Sequence, residues 1–254
     1  MCLIAWNWQP ASATPLLLLS NRDEFYARPT LPLHWWEPAP NGAIVLAGRD
    51  LQADGTWLGV NRSGRLAALT NYRSATPART DSPSRGELVA GFLQGTMSAL
   101  GYLQTLRSRA HDYNPFNLLV FDGQQLLGLE SRQARILTMS PGLGAVSNAD
   151  FHTPWPKLTR LQHGLHAHVL AGDTKAERVF ALLHDTTLAS DDSLPETGVP
   201  VALEQALSAT FVATPGYGTR ACSVVHIHQH QVEFAEQSFG LAGLLDSRQT
   251  GFSL

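Results

Sequence analysis

Strand-like and helix-like segments fall in blocks along these 254 residues, and that order constrains the fold more than any single motif. Apolar runs at 2–8 and 15–20 flank the turn Gln9-Pro10-Ala11-Ser12 and predict a hairpin of buried strands. Runs at 43–48, 56–61 and 65–72 predict three more strands, with Gly55, Asn61 and Gly64 at the turns. Ser84-Arg85-Gly86-Glu87 matches a capping box, with Ser84 as N-cap and Glu87 reaching back to its amide. The helix it opens carries Leu88, Val89, Phe92 and Leu93 on one stripe. A second helix is predicted over 98–111, followed by strands at 116–121, 124–130, 134–139 and 143–147, the first two joined by Asp122-Gly123. Helices at 156–170, 174–184 and 201–207 come next, and strands at 222–228 and 232–239 close the pattern. The stretches 28–40 and 73–83 read as loops and 185–200 as a polar linker. Helices in blocks argue against a doubly wound parallel sheet. They predict an α+β fold, a four-layer αββα sandwich of two stacked, mostly antiparallel sheets flanked by helices. With no repeat or break in composition, one domain over 1–254 is expected.

Hydrophobic residues make up 44% and charged residues 15% of the chain, enough to predict a sizeable core rather than disorder. The net charge of −3 comes without a basic stripe, so no nucleic-acid partner is expected. The two cysteines, Cys2 and Cys222, make no disulfide framework, and a reducing compartment is the default. The start does not read as a signal peptide and no apolar run is long enough for a membrane span, so a cytoplasmic location is expected.

Cys2 follows the start methionine directly. Removal of Met1 would leave one residue with a thiol and a free α-amine, and such an amine titrates at about 7.7–8.0. An amine beside a thiol is a base beside a nucleophile. Read otherwise, Cys2 is the second residue of a first strand. The hairpin brings the end of the second strand, Asn21-Arg22-Asp23-Glu24, beside Cys2. There an arginine would lower the thiol pKa and a carboxylate could hold the α-ammonium. Neighbours on a strand point to opposite faces. Arg22 with Glu24, or Asn21 with Asp23, therefore share a face. Asn71 and Asn148 end strands and suit either an oxyanion donor or a turn. Arg220, in Gly218-Thr219-Arg220, suits a place facing a substrate carboxylate or the nucleophile, or else a surface ion pair. His226, His228 and His230 alternate, as on a solvated sheet face, and no acid completes a metal set. Trp35, Trp36, Trp57 and Trp155 suit core packing or a pocket wall.

Met1-Cys2-Leu3-Ile4, Asn21-Arg22-Asp23-Glu24-Phe25-Tyr26-Ala27-Arg28-Pro29, Thr70-Asn71-Tyr72-Arg73, Ser84-Arg85-Gly86, Phe116-Asn117-Leu118-Leu119, Ser147-Asn148-Ala149, Thr153-Pro154-Trp155-Pro156-Lys157 and Tyr217-Gly218-Thr219-Arg220 occur in this order over nearly the whole chain. In these strings the chain resembles the NRDE family, that of transport and Golgi organisation protein 2. The family in turn is similar to N-terminal-nucleophile hydrolases of the choloylglycine hydrolase and penicillin acylase type. That resemblance implies an αββα fold and a catalytic set of Cys2, Arg22, Asp23, Asn71, Asn148 and Arg220. Glu24, Trp35, Trp36 and Tyr72 are the candidate substrate-binding residues. In those amidases two residues separate the arginine from the acid, whereas Arg22 and Asp23 are adjacent. The expected activity is hydrolysis of a C–N amide bond in a small molecule, with no metal or organic cofactor. The alternative is a binding or trafficking protein that takes a hydrophobic ligand, a lipid, acyl-CoA or haem, in the same cleft.

Overall fold

The computed structural model describes residues 2–40 and 42–254. The reading of Met1 as a removed residue lies outside them. The first strands are β1 (Cys2–Trp8), β2 (Leu16–Phe25), β3 (Thr30–Trp36), β4 (Val45–Asp50), β5 (Leu58–Asn61) and β6 (Leu66–Asn71). Helices α1 (Gly86–Gln94) and α2 (Ala99–Arg107) follow, then β7 (Phe116–Phe121), β8 (Leu126–Glu130), β9 (Arg135–Thr138) and β10 (Gly142–Val146). Next come α3 (Pro156–Leu170), α4 (Ala176–Leu183) and α5 (Val201–Ala206), and last β11 (Tyr217–Ile227), β12 (Gln231–Gly240) and β13 (Gly243–Ser253). One sheet has the order β10-β1-β2-β11-β12-β13 and the other runs from β3 to β9 in chain order. Neighbouring strands pair antiparallel in both.

Alternation along each strand builds three cores. Ile4, Trp6, Trp8, Leu16 and Leu18 face the second sheet and meet Leu33, Trp57, Leu66 and Leu119. Leu3, Ala5, Leu17 and Leu19 face outward and are covered by Leu158, Leu161 and Leu165 of α3 and Val179, Phe180 and Leu183 of α4. The second sheet is covered in the same way by Val89, Phe92 and Leu93 of α1 and Leu103 and Leu106 of α2. The four layers are those the block order predicts. Burial on both faces explains why β1 and β2 read as nearly unbroken apolar runs. At about 1.5–3 kcal/mol for each buried leucine, Leu16 to Leu19 stabilise the strand whose far end buries Asn21, Arg22 and Asp23.

Several elements differ from expectation. Residues 28–40 contain the strand β3, which holds Pro32 and a register shift between Leu31 and His34. It lies at the sheet edge, where a missing N–H is tolerated. At one edge of the first sheet β13 extends past the predicted end of the pattern, and its side chains are mostly exposed, so no apolar alternation marks it. The capping box does not form as predicted. The N-cap of α1 is Arg85, the Ser84 hydroxyl accepts from Gly86 N at 3.3 Å, and Glu87 accepts the Tyr113 hydroxyl at 2.5 Å instead of reaching back. The second helix is also shorter than 98–111, because it gives way after Arg107 to a 3-10 turn at Ala110–Asp112. The two sheets are tied by Leu33 N, which donates to Glu236 Oε1 at 2.8 Å. Burial pushes that carboxyl up to about 7.

Candidate functional site

The β1–β2 register pairs Cys2 directly with Arg22. Paired residues share a face, so the thiol, Arg22 and Glu24 lie on the side that continues the inter-sheet core. Arg22 is held from the second sheet: Nη2 donates to Asp50 Oδ2 at 2.7 Å and Nη1 to Thr30 Oγ1 at 3.2 Å. Its guanidinium carbon lies 4.3 Å from the centre of the Trp57 ring. Asp50 Oδ2 also takes Arg28 Nε at 2.6 Å, and Asp50 Oδ1 takes the amides of Gln52 and Ala53. Gly48 makes room for the tryptophan, since a Cβ there would stand 2.3 Å from the Trp57 ring. Around these groups lies a cavity of about 430 Å³, lined by Cys2, Arg22, Asp23, Glu24, Asn71 and Arg85 among others.

Asp23 belongs to the opposite face of β2, with Asn21. Its Oδ1 accepts from Thr219 Oγ1 at 2.7 Å and its backbone carbonyl from the Tyr217 hydroxyl at 2.9 Å, yet at the strand end it still borders the cavity. The faces therefore divide as alternation requires, with Arg22 and Glu24 on the face of Cys2. On β11 the register shifts between Thr219 and Ala221, so Arg220 is the extra residue of a bulge. Its guanidinium binds the carbonyls of Phe25, Tyr26, Arg28 and Phe239 and lines a neighbouring cavity instead of that of Cys2. Its four carbonyl contacts stand in place of the expected ones, a substrate carboxylate, the nucleophile or a surface ion pair.

Trp35 and Trp36 also stand away from Cys2. Trp35 packs edge-on against Phe252 under Arg62, and Trp36 is buried with Nε1 donating to Ala47 O. Trp57 occupies the wall where they were expected. Asn71 lines both the Cys2 cavity and a second one of about 1190 Å³ that also takes in Tyr72, Asn148 and Trp155. The Asn148 amide donates to Asn71 O at 2.9 Å and so fixes the backbone at that junction. The Tyr72 hydroxyl donates to Asp150, which holds its proton far above the usual phenol range, after the larger effect of burial.

The thiol of Cys2 is pushed up, mainly by burial; Asp23 and Glu24 add to the rise and Arg22 opposes it. The sequence expectation that an arginine would lower it is thus outweighed by desolvation. Lys157, in the first turn of α3, is 1% exposed, and its ammonium has no hydrogen-bond partner among the described residues. Burial drives it down to about 8, against the pull of Asp23. Sequence reasoning gave no role to Asp50, Arg85 or Lys157, and named Trp57 only as one of four tryptophans suited to core packing or a pocket wall. A polar residue ending a strand was the signal at Asp50, as it was at Arg22.

His226 and His228 do share a face, with their rings stacked 5.8 Å apart. His226 Nε2 donates to Thr174 O at 2.8 Å, and no group of three His, Cys, Asp or Glu gathers at metal distance among the described residues.

Two stacked antiparallel sheets between helix layers make the fold that of the N-terminal-nucleophile hydrolases. The mutant C2A conjugated bile acid hydrolase from Clostridium perfringens is similar over 100% of this chain and 92% of that one, with a TM-score of 0.56 and 9% identity. At that identity the likeness is one of fold. The chain itself belongs to the Transport and Golgi organisation 2 family, which matches residues 1–240. It is 34% identical to the Transport and Golgi organization protein 2 homolog of Bos taurus over 94% of this chain and 93% of the relative. The Homo sapiens homolog is 32% identical over the same shares, and the Drosophila melanogaster protein 29% over 94% and 92%. No helix among the described residues is long and apolar enough to cross a membrane.

Proposed function

We propose that this chain is an N-terminal-nucleophile amidohydrolase in which Cys2 attacks the carbonyl of a small-molecule amide. The observation that carries the reading is the Cys2–Arg22 register, which sets the thiol on the floor of a polar cavity with Asn71 on its wall. Because burial keeps the thiol protonated, attack needs a base beside it. In the translated chain the nitrogen of Cys2 is a peptide amide and cannot serve. Once Met1 is removed it is an amine that takes the thiol proton. The thiolate then adds to the carbonyl, and the oxyanion is met by the Asn71 amide, whose side chain makes no hydrogen bond of its own among the described residues. The α-ammonium returns the proton to the departing amine, and water cleaves the thioester to regenerate the thiol. Asp23 fits the task of holding the α-ammonium, and Arg22 opposes the rise in the thiol pKa. A cavity floored by Cys2, Arg22, Asp23 and Glu24 suits a polar amide better than a lipid or haem, so no observation favours the hydrophobic-ligand reading. Arg220, Trp35 and Trp36 have no part in it.

The test is intact mass of the purified protein before and after a thiol-reactive probe at neutral pH, beside Cys2→Ala. Loss of Met1 with labelling confined to Cys2 is expected, because Cys222 is fully buried and its thiol is pushed far up. Retained Met1, or a Cys2 no more reactive than Cys222, would overturn the mechanism.

A further inference from the structure

The arginines around the two cavities are unequally neutralised. Arg22 and Arg28 share Asp50, and Arg73 is paired with Glu204. Arg79, Arg85 and Arg132 have no carboxylate within ion-pair distance among the described residues. Arg79 spends one guanidinium nitrogen on the carbonyls of His111, Asp112 and Tyr113, and Arg132 lies over the Tyr72 ring, whose hydroxyl is on Asp150. Arg85 gives only Nη1, to Pro115 O at 3.1 Å. The acids nearby are engaged elsewhere: Glu24 lies 3.9 Å from both Arg22 and Arg28, Asp50 is shared by the same two arginines, Asp23 takes Thr219, Asp150 is engaged by Tyr72 and Glu204 by Arg73, and Glu196 is an exposed residue of the second cavity.

The place of Arg85 is built into the backbone. Gly86 lies against Gly55 so closely that a Cβ on Gly55 would stand 2.7 Å from Gly86 C, and Thr56 N donates to Gly86 O at 3.3 Å. That contact presses the Ser84-Arg85-Gly86 turn into the wall between the cavities. Asn71, Arg85 and Asn114 are the residues that line both. Burial pulls the guanidinium down and Cys2 and Glu24 pull it back, the pattern of a cation held partly out of water without its own counterion.

We infer that Arg85 is an anion-binding residue, and that the ligand of this site carries a carboxylate or phosphate a few bonds from the carbonyl that meets Cys2. A planar guanidinium with open donors matches either group in two-pronged fashion. With the carbonyl oxygen at Asn71, the substituent on one side passes Arg85 into the second cavity. The class is an acidic amide such as an N-acyl amino acid. This identification of the ligand rests on the amidohydrolase reading, but the anion site itself does not require turnover.

The test is therefore binding to the Cys2→Ala protein, measured by titration calorimetry at near-neutral pH and low salt. The probes are N-hexanoylglycine, its phosphonate counterpart N-hexanoyl-aminomethylphosphonate, and the neutral N-hexanoylglycinamide. At least one acid is expected to bind about tenfold more tightly than the neutral amide, the yield of a charge-assisted hydrogen bond. Which acid wins separates a carboxylate from a phosphate ligand. The preference should vanish in Arg85→Gln, persist in part in Arg85→Lys, and survive Arg79→Gln and Arg132→Gln. Equal affinity for acid and neutral probes would overturn the inference without recourse to any variant. So would failure of both acids to bind below about 1 mM, or an acid preference that outlives Arg85→Gln. Loss of turnover in wild type with the acid preference intact would instead sink only the amidohydrolase reading.

Discussion

On the inner face of β2, Arg22 and Glu24 stand beside Cys2, and Arg22 is gripped from the other sheet by Asp50 and Thr30. On the outer face of the same strand, Asn21 donates to Leu183 O at 2.8 Å and Thr210 O at 2.9 Å, and Asp23 takes Thr219. Four consecutive polar residues thus serve two regions with different chemistry. The inner pair sets charge around a thiol, and Asp23, bordering the cavity at the strand end, acts on it as well. The outer pair pins the end of α4 and the segment before β11 to the sheet. A contiguous motif at a strand end is read by face, not by adjacency. The comparison breaks if a substitution at Asn21 changes the thiol as much as one at Arg22.

The largest effect is expected from Asn21→Leu. The replacement leaves Leu183 O and Thr210 O without their donor in a fully buried place. At about 1–3 kcal/mol for each orphaned group, the loss of stability should be roughly 4 kcal/mol in urea unfolding. The rate of Cys2 labelling in the molecules that remain folded should not change. A loss under about 1 kcal/mol would show that water or a shift of α4 replaces the amide.

Lys157 sharpens the outer side. Its folded pKa of about 8 lies below the ordinary 10.5 of lysine, so the unfolded chain holds a proton through that interval that the folded chain gives up. Stability from this group therefore rises with pH between those two values, and the full penalty is present below the lower one. Lys157→Met should be more stable than wild type at pH 7, by on the order of 2–3 kcal/mol, with the gap closing as pH climbs toward the upper value. The raised thiol of Cys222 acts in the opposite direction over the same range, but in both proteins alike; Cys2 interacts with Lys157, so the comparison is made in a Cys2→Ala background, where the difference isolates the lysine. A variant less stable than wild type at neutral pH would make the ammonium a required counterion of Asp23.

The sequence made the inner layers legible because burial on both faces writes itself as apolar runs, as at Leu16 to Leu19. It left the edge strands β3 and β13 illegible for the same reason. Pro32 and a register shift disguised β3, and β13 is too exposed to alternate. At the site, the approach of Asn21-Arg22-Asp23-Glu24 to Cys2 followed from hairpin geometry alone, and so did the two same-face pairs; that Arg22 with Glu24 is the pair facing Cys2 is read from the register. The partners across the sheets did not. Nothing local in the chain brings Asp50 or Trp57 to Arg22, because that contact exists only once two sheets stack. Arg220 was misplaced because one bulge residue turns a side chain from the expected wall, a feature with no signature in the residue types around it.

Arg22→Gln is the smallest change in stability and the most direct on the thiol. Removing one member of a buried ion pair usually costs several kcal/mol, because its partner is left charged and alone. Asp50 is not left alone: Arg28 stays at 2.6 Å, and the amides of Gln52 and Ala53 hold its other oxygen. The loss should then be about 1 kcal/mol, the scale of a single net hydrogen bond. At Cys2 the balance shifts the other way. Burial, Asp23 and Glu24 all raise the thiol, and Arg22 is a nearby side chain that opposes them. Without it the thiol pKa should climb further, and labelling of Cys2 at neutral pH should slow about tenfold for each unit of climb. The pH profile of the labelling rate reads this directly, and Asn21→Leu supplies the control, with its large stability loss and unchanged profile. If the two variants moved the profile equally, strand alternation would not be what divides this motif.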